Sequence, residues 1–214
     1  MAAALTACPM NSPTSLPVSL TYAPAPIVQP VPGAEAVHVE VMVQDLRQDK
    51  STLGDVKTAF QEVPIATDDE PSQLLKSAVE SELRDRGFEL GTGDISVMID
   101  LEGVAVEDHR SVSLYSIDST NEVRAIVIIG VQVKSHAAAV LYSKIVNGKV
   151  AFGSNGTGSS ASQRALDYAF DEAVKNLMRD PEFIKALLAT RKTVKPAATA
   201  PPHAAPKPAP PNKR

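Results

Sequence analysis

The 214-residue sequence contains few of the residues that build covalent or metal-bound centres. It has one cysteine, no tryptophan and 4% aromatic residues. A single cysteine excludes an internal disulfide, and it excludes the zinc sites that need several cysteines or a cysteine and histidine cluster. No run approaches the roughly 18 consecutive apolar residues that cross a bilayer. Association with a membrane would therefore require an anchor.

Proline is scarce in the middle of the chain and abundant at both ends. Of the 17 prolines, seven lie in residues 1–33 and seven in residues 191–214. Proline lacks a backbone donor and fixes φ, so we expect both segments to be extended, disordered and solvated tails. Residues 34–190 then form a single domain, which is large enough to build a core without disulfides or metals.

Charged residues divide along the same boundaries. All 25 acidic residues lie between Glu35 and Glu182 together with 15 basic residues, so the domain carries a charge of −10, while the C-terminal tail carries +6. An acidic domain argues against nucleic acid as a partner, because backbone phosphates require a basic face. The basic, proline-rich tail is either a solvated tail or a contact for an anionic polymer or membrane surface.

Two stretches alternate apolar with polar residues, and two longer runs are rich in Val, Ile and Tyr, so the sequence predicts four strands. The stretches are 37–43, 95–106, 123–134 and 138–152. The last two are separated by a reversal in "KSHA", and Asn147–Gly148 predicts a tight turn or bulge in the last one. A further short strand pair is expected around Val56 and Ile65.

Helical spacing of apolar residues predicts three helices. The first runs from Pro71 to about Arg86 and is ended by Gly87, the second begins near Ser160, and a short third helix follows Asp180–Pro181. The order β-α-β-β-β-α-α favours an α+β two-layer sandwich, with helices on one face of a mostly antiparallel sheet.

Cys8 ends the tetrapeptide Leu5-Thr6-Ala7-Cys8, which has the pattern of a bacterial lipobox. The signal peptidase needs a small residue beside a cysteine whose thiol is already diacylated, and that cysteine becomes the new N-terminus. Only seven residues without Lys or Arg precede Cys8, whereas an export signal needs about 15 to 30 with a basic start and an apolar centre. The pattern predicts lipidation of Cys8 with a true start upstream of Met1; the alternative is an unmodified thiol in a tail.

Residues 153–160 form a glycine-rich loop between a predicted strand and a predicted helix. Gly156, Gly158 and Ala161 have the G-x-G-x-x-A spacing of a phosphate loop. No strand follows the helix, and the Lys of a P-loop is absent. A soluble ligand-binding or nucleotide-binding domain that uses this loop is the alternative function.

No catalytic, metal or cofactor site is predicted. The four histidines, His38, His109, His136 and His203, are scattered without a second ligand at metal-binding spacing. No G-x-S-x-G elbow is present. Asp45 and Arg47 lie two apart at the end of the first strand, so we expect them to pair with each other or to brace the following loop.

Several segments together resemble the YajG family of bacterial lipoproteins over about residues 5–188. They are "LTAC", "QDLR", "ESELRDRGFELG", "DISVMIDLEGVAV", "VRAIVIIGVQVK" and "DPEFIKAL". The resemblance implies a non-enzymatic lipoprotein of the Gram-negative envelope, anchored by lipid on Cys8 and facing the periplasm from the outer membrane. It implies no cofactor or catalytic residue, and the expected partner is an envelope protein or polymer. The tail after Thr190 looks like an addition to the family domain.

Overall fold

The structure, a computed structural model, describes residues 15–24, 28–57, 62–110, 121–153 and 159–189. Within these ranges there are eight strands, three α-helices and one 3-10 turn. In chain order they are β1 (Leu16–Pro17), the 3-10 turn (Ala34–Ala36), β2 (His38–Asp45), β3 (Asp55–Lys57), β4 (Glu62–Ala66), α1 (Pro71–Asp85), β5 (Glu89–Leu90), β6 (Ile95–Arg110), β7 (Asn121–Ser135), β8 (Val140–Gly153), α2 (Ser159–Arg179) and α3 (Pro181–Leu187).

The strands form one mixed sheet that is mostly antiparallel, as the sequence predicts. The long strands β6, β7 and β8 pair in an antiparallel meander. The first predicted strand, β2, pairs in parallel with the first half of β6, so α1 lies in the crossover between two parallel neighbours. The short strand β3 pairs with the end of β6, and β4 and β1 continue the sheet beyond β3. The pair predicted around Val56 and Ile65 is thus confirmed as β3 and β4.

The core lies between the sheet and the helices. α1 packs on β2, and α2 packs on β7 and β8. The predicted apolar face of α2 is confirmed, because all seven of its residues are buried: Leu166, Ala169, Phe170, Ala173, Val174, Leu177 and Met178. Gly87 ends α1 with a φ of 92°, in the left-handed region that glycine adopts without strain.

The prediction of a turn or bulge at Asn147–Gly148 is wrong. Both residues lie inside β8 and pair in unbroken register with Ile128 and Val127. Glycine is needed at this position for another reason, since a Cβ on Gly148 would overlap the backbone of α2 at Ala169. The glycine therefore allows α2 to pack directly against the strand backbone.

The prediction of a solvated tail up to residue 33 is wrong for the described part of that segment. Val18 and Leu20 are each only 6% exposed, and β1 extends the sheet next to β4. Farther along, the Val31 amide donates to the Arg86 carbonyl at 2.9 Å. Pro17 is accommodated because β1 lies at the edge of the sheet, where a missing backbone donor breaks no ladder. Cys8 and residues 190–214 lie outside the described residues.

Candidate functional site

Residues 15–24 form an extended segment that we call the N-terminal strap. It begins at β1, where Leu16 lies opposite Ile65 in parallel register. The Val18 amide then donates to the Ala66 carbonyl at 2.9 Å. Val18 and Leu20 point into the core while the alternate side chains face outward. The strap is therefore packed as part of the domain.

Asp69, just before α1, fastens the middle of the strap. Its Oδ2 atom accepts hydrogen bonds from the Leu20 amide at 2.7 Å and from the Ser19 hydroxyl at 3.0 Å. The Leu20 bond is the main reason that the pKa of Asp69 is lowered, and the Ser19 bond adds to it. Because these donors favour the ionised form, Asp69 stays charged and holds the strap at neutral pH.

Asp167 on α2 fastens the next residue of the strap. Its Oδ1 atom accepts from the Thr21 amide at 2.8 Å. Burial raises the pKa of Asp167, and the nearby charges of Asp171 and Asp69 raise it further, although the Thr21 bond opposes both. The charge of Asp167 is therefore unfavourable at this site, whereas its oxygen is needed as an acceptor.

Tyr22 connects the strap back to α1. Its hydroxyl donates to Glu82 Oε1 at 2.6 Å, and the fully buried Glu82 also forms an ion pair with Arg86. Burial raises the pKa of Tyr22, and the bond to Glu82 raises it further. Tyr22 thus remains a protonated donor, which a buried carboxylate requires.

These contacts tie one extended segment to both helices. Carboxylates on the α1 side and on α2 accept the donors of three successive strap residues, Leu20, Thr21 and Tyr22. The strap also begins beside the N-terminal ends of both helices, since Ser15, Asp68 and Gln163 line one shallow depression. The arrangement therefore holds Ser15 at this end of the domain, where a tether can be attached.

Two of the predicted features lie wholly or partly outside the described residues. Cys8 lies outside the described residues, seven positions before Ser15. Residues 154–158 of the predicted loop 153–160 also lie outside the described residues. The structure therefore does not test the phosphate-loop prediction.

The expected pairing of Asp45 with Arg47 is confirmed. Arg47 Nη2 lies 2.8 Å from Asp45 Oδ2, and Arg47 Nη1 donates to the Thr52 carbonyl at 3.2 Å. Arg47 is 7% exposed, and its hydrogen bond is the main reason that the pKa of Asp45 is lowered. The pair therefore both neutralises a buried charge and braces the loop after β2.

The two histidines whose side chains the structure describes, His38 and His136, belong to no metal-binding group. His38 Nε2 lies 2.8 Å from Glu89 on an exposed rim, and His136 lies in the turn after β7. The side chain of His109 and all of His203 lie outside the described residues. Across the described ranges, no three His, Cys, Asp or Glu side chains are grouped to hold a metal ion.

A second surface with binding potential lies on the face of the sheet opposite the helices. A shallow depression of about 470 Å³ is lined there by apolar and charged side chains: Ala105, Glu107, Arg124, Ile126, Lys149 and Ala151. Ile145, which lies on the same strand as Lys149 and on the same face of the sheet, is 61% exposed. This face, which we call the open sheet face, offers apolar area next to charged groups of both signs.

Residues 24–188 match the family described as uncharacterized lipoprotein. The chain belongs to this family. The match confirms the YajG-type resemblance found in the sequence, and its range covers the domain but only the last residue of the strap. No curated protein matches the chain. None of the helices in the described part of this lipoprotein is both long and apolar enough to cross a membrane.

Several solved structures are similar to the chain at low sequence identity. Protein XCC0632 from Xanthomonas campestris is 14% identical with a TM-score of 0.53, over 83% of this chain and 97% of that one. A protein described as a neuraminyllactose-binding hemagglutinin homologue from Helicobacter pylori is 10% identical with a TM-score of 0.46, over 78% and 97%. A minor lipoprotein from Acinetobacter baumannii is 7% identical with a TM-score of 0.42, over 69% and 94%. The first of these supports the α+β fold of the lipoprotein.

Proposed function

We propose that this lipoprotein is a non-enzymatic domain of the Gram-negative envelope, anchored through lipid on Cys8 to the outer membrane and facing the periplasm. The observation that carries the proposal is the strap. Its first residue, Ser15, lies seven positions after the lipobox cysteine, and the strap forms hydrogen bonds with Glu82 of α1 and Asp167 of α2. Membership of the lipoprotein family supports the same conclusion.

Labelling with palmitate tests the anchor. The chain is expressed in a Gram-negative host from its native upstream region and compared with Cys8→Ser, which removes the single thiol of the sequence. We expect label in the parent protein and none in the variant. Equal labelling of both, or of neither, would exclude the anchor. Separation of inner and outer membranes then decides which membrane holds the labelled protein.

We also propose that the anchored domain binds another envelope component, and the open sheet face supports this part. On this face the partly buried Ile126 lies opposite Lys149, and the largely exposed Ile145 lies four residues before Lys149 on β8. A photoreactive residue at position 145 should yield a discrete crosslinked product in cells. The same residue at Glu182, exposed at the start of α3, serves as the control. Products of equal yield at both positions would show that the sheet face is not selective.

A further inference from the structure

We propose that the strap sets the orientation of the domain on its membrane, with the N-terminal ends of α1 and α2 as the surface that faces the lipid. The inference rests on the proposed lipidation of Cys8. Its own observation is the position of Ser15, the first described residue, because the length of chain from Cys8 to Ser15 limits which part of the domain can lie near the anchor.

The length of chain between the anchor and the domain is short. Six residues lie between Cys8 and Ser15, and the seven Cα–Cα steps from Cys8 to Ser15 span at most about 25 Å even when fully extended. A tether ending at residue 34, as composition alone predicts, would span up to about 90 Å and would let any surface approach the lipid. Because Val18 and Leu20 are packed in the core, the chain between the anchor and the domain is much shorter than composition alone predicts.

The short tether ends at one defined end of the molecule. Ser15 lies in the same depression as Asp68, which precedes α1, and Gln163, in the second turn of α2. From there α2 runs to Arg179 over 21 residues, a length of about 30 Å. At the far end of α2, Asp180 Oδ2 accepts from the Tyr142 hydroxyl at 3.0 Å and from Lys144 Nζ at 2.8 Å, near the turn between β7 and β8.

The two ends of the domain are therefore at different heights above the membrane. The strap end lies within reach of the lipid, and the β7–β8 turn lies about 30 Å beyond it along α2. Asp68 and Glu70 are exposed at the strap end, and acidic groups do not attract anionic lipid. The covalent tether, rather than charge attraction, holds this end toward the membrane. Ala189, the last described residue, follows α3 at the opposite end.

Energy transfer to the lipid surface tests the orientation. Asp68→Cys and Ala137→Cys, both at exposed positions, are labelled with the same maleimide dye after purification of the lipidated full chain. The acylated sulfur of Cys8 does not react with maleimide. Each protein is inserted into preformed phosphatidylcholine vesicles that carry an acceptor dye on the headgroups. We expect transfer from position 68 to be at least about twofold more efficient, given the 30 Å length of α2.

A spacer variant is the matched control. Twenty Gly and Ser residues inserted between Asn11 and Ser12 raise the reach of the tether to about 95 Å, and the difference between the two positions should then disappear. Equal transfer in the parent, or a difference that persists with the spacer, would overturn the role of the strap. A protein that does not join the vesicles and carries no acyl group by mass would overturn the anchor itself, and the orientation with it.

Discussion

Replacement of Leu20 by alanine should destabilise the whole domain, although the residue lies in a segment whose composition is typical of a linker. Leu20 is 6% exposed and contacts the main core. Buried leucine to alanine changes cost about 2 to 5 kcal/mol, and the lower part of that range is expected at the edge of a core, where water can enter. With a urea slope of about 2 kcal/mol per molar, a loss of 2 to 3 kcal/mol lowers the unfolding midpoint by about 1 to 1.5 M.

The assay is equilibrium unfolding in urea, followed by far-UV circular dichroism because the chain has no tryptophan. Both variants are made in the Cys8→Ser background to avoid thiol chemistry. Leu46→Ala is the matched control, since it is the same chemical change at a side chain that is 55% exposed, and we expect it to shift the free energy of unfolding by no more than about 0.5 kcal/mol. If the Leu20 variant unfolds at the same midpoint as the Leu46 variant, the strap does not pack on the core in solution.

Three other substitutions test separate parts of the structure by the same unfolding assay. Gly148→Ala should lower the free energy of unfolding by about 1 to 3 kcal/mol or more, because the added methyl group forces α2 away from β8. Gly103→Ala is the control and should lower it less, because the nearest neighbour of the added Cβ would be 3.6 Å away. Equal losses for the two variants would contradict the close packing of Gly148 against α2. Asp167→Asn keeps the acceptor for Thr21 and removes an unfavourable charge, so at pH 7 this variant should be at least as stable as the parent. Asp167→Ala removes the acceptor and should be less stable than the parent. Equal losses of stability in the two variants would contradict this reasoning. The Lys144 hydrogen bond lowers the pKa of Asp180. The ionised Asp180 therefore stabilises the fold fully above the ordinary aspartate pKa of about 4, and this contribution is lost as the pH falls. Asp180→Asn should therefore lower the midpoint at pH 7 and approach the parent near pH 3, and a constant difference would refute that origin.

The parts of the fold that sequence predicts correctly are those set by neighbours in the chain. The alternation of Val37, Val39 and Val41 is enough to mark a half-buried strand, and all three are buried. Asp180 before Pro181 is enough to mark a helix start, and the Asp180 side chain accepts from the Glu182 amide. Periodicity and capping act over a few residues, so they are readable without knowing the partner elements.

The parts that composition hides depend on distant partners. Leu16, Val18, Leu20 and Tyr22 alternate with polar or small residues, which is the period of a strand, but the surrounding prolines led to the prediction of a linker. The alternation alone could have identified the strap. Its acceptors, Asp69 and Asp167, lie about 50 and 146 residues away in sequence, so no local pattern reveals them. The parallel pairing of β2 with β6 and the contact of Gly148 with α2 are non-local in the same way.

The mass of the N-terminal peptide tests the central claim most directly. The lipoprotein is expressed from its native upstream region, extracted from membranes and digested, and the peptide that contains the single cysteine is analysed by mass spectrometry. The account predicts a peptide that begins at Cys8 and carries a thioether-linked diacylglycerol. A peptide that continues upstream of Cys8 with an unmodified thiol would contradict the claim that the strap connects an outer-membrane anchor to the folded domain.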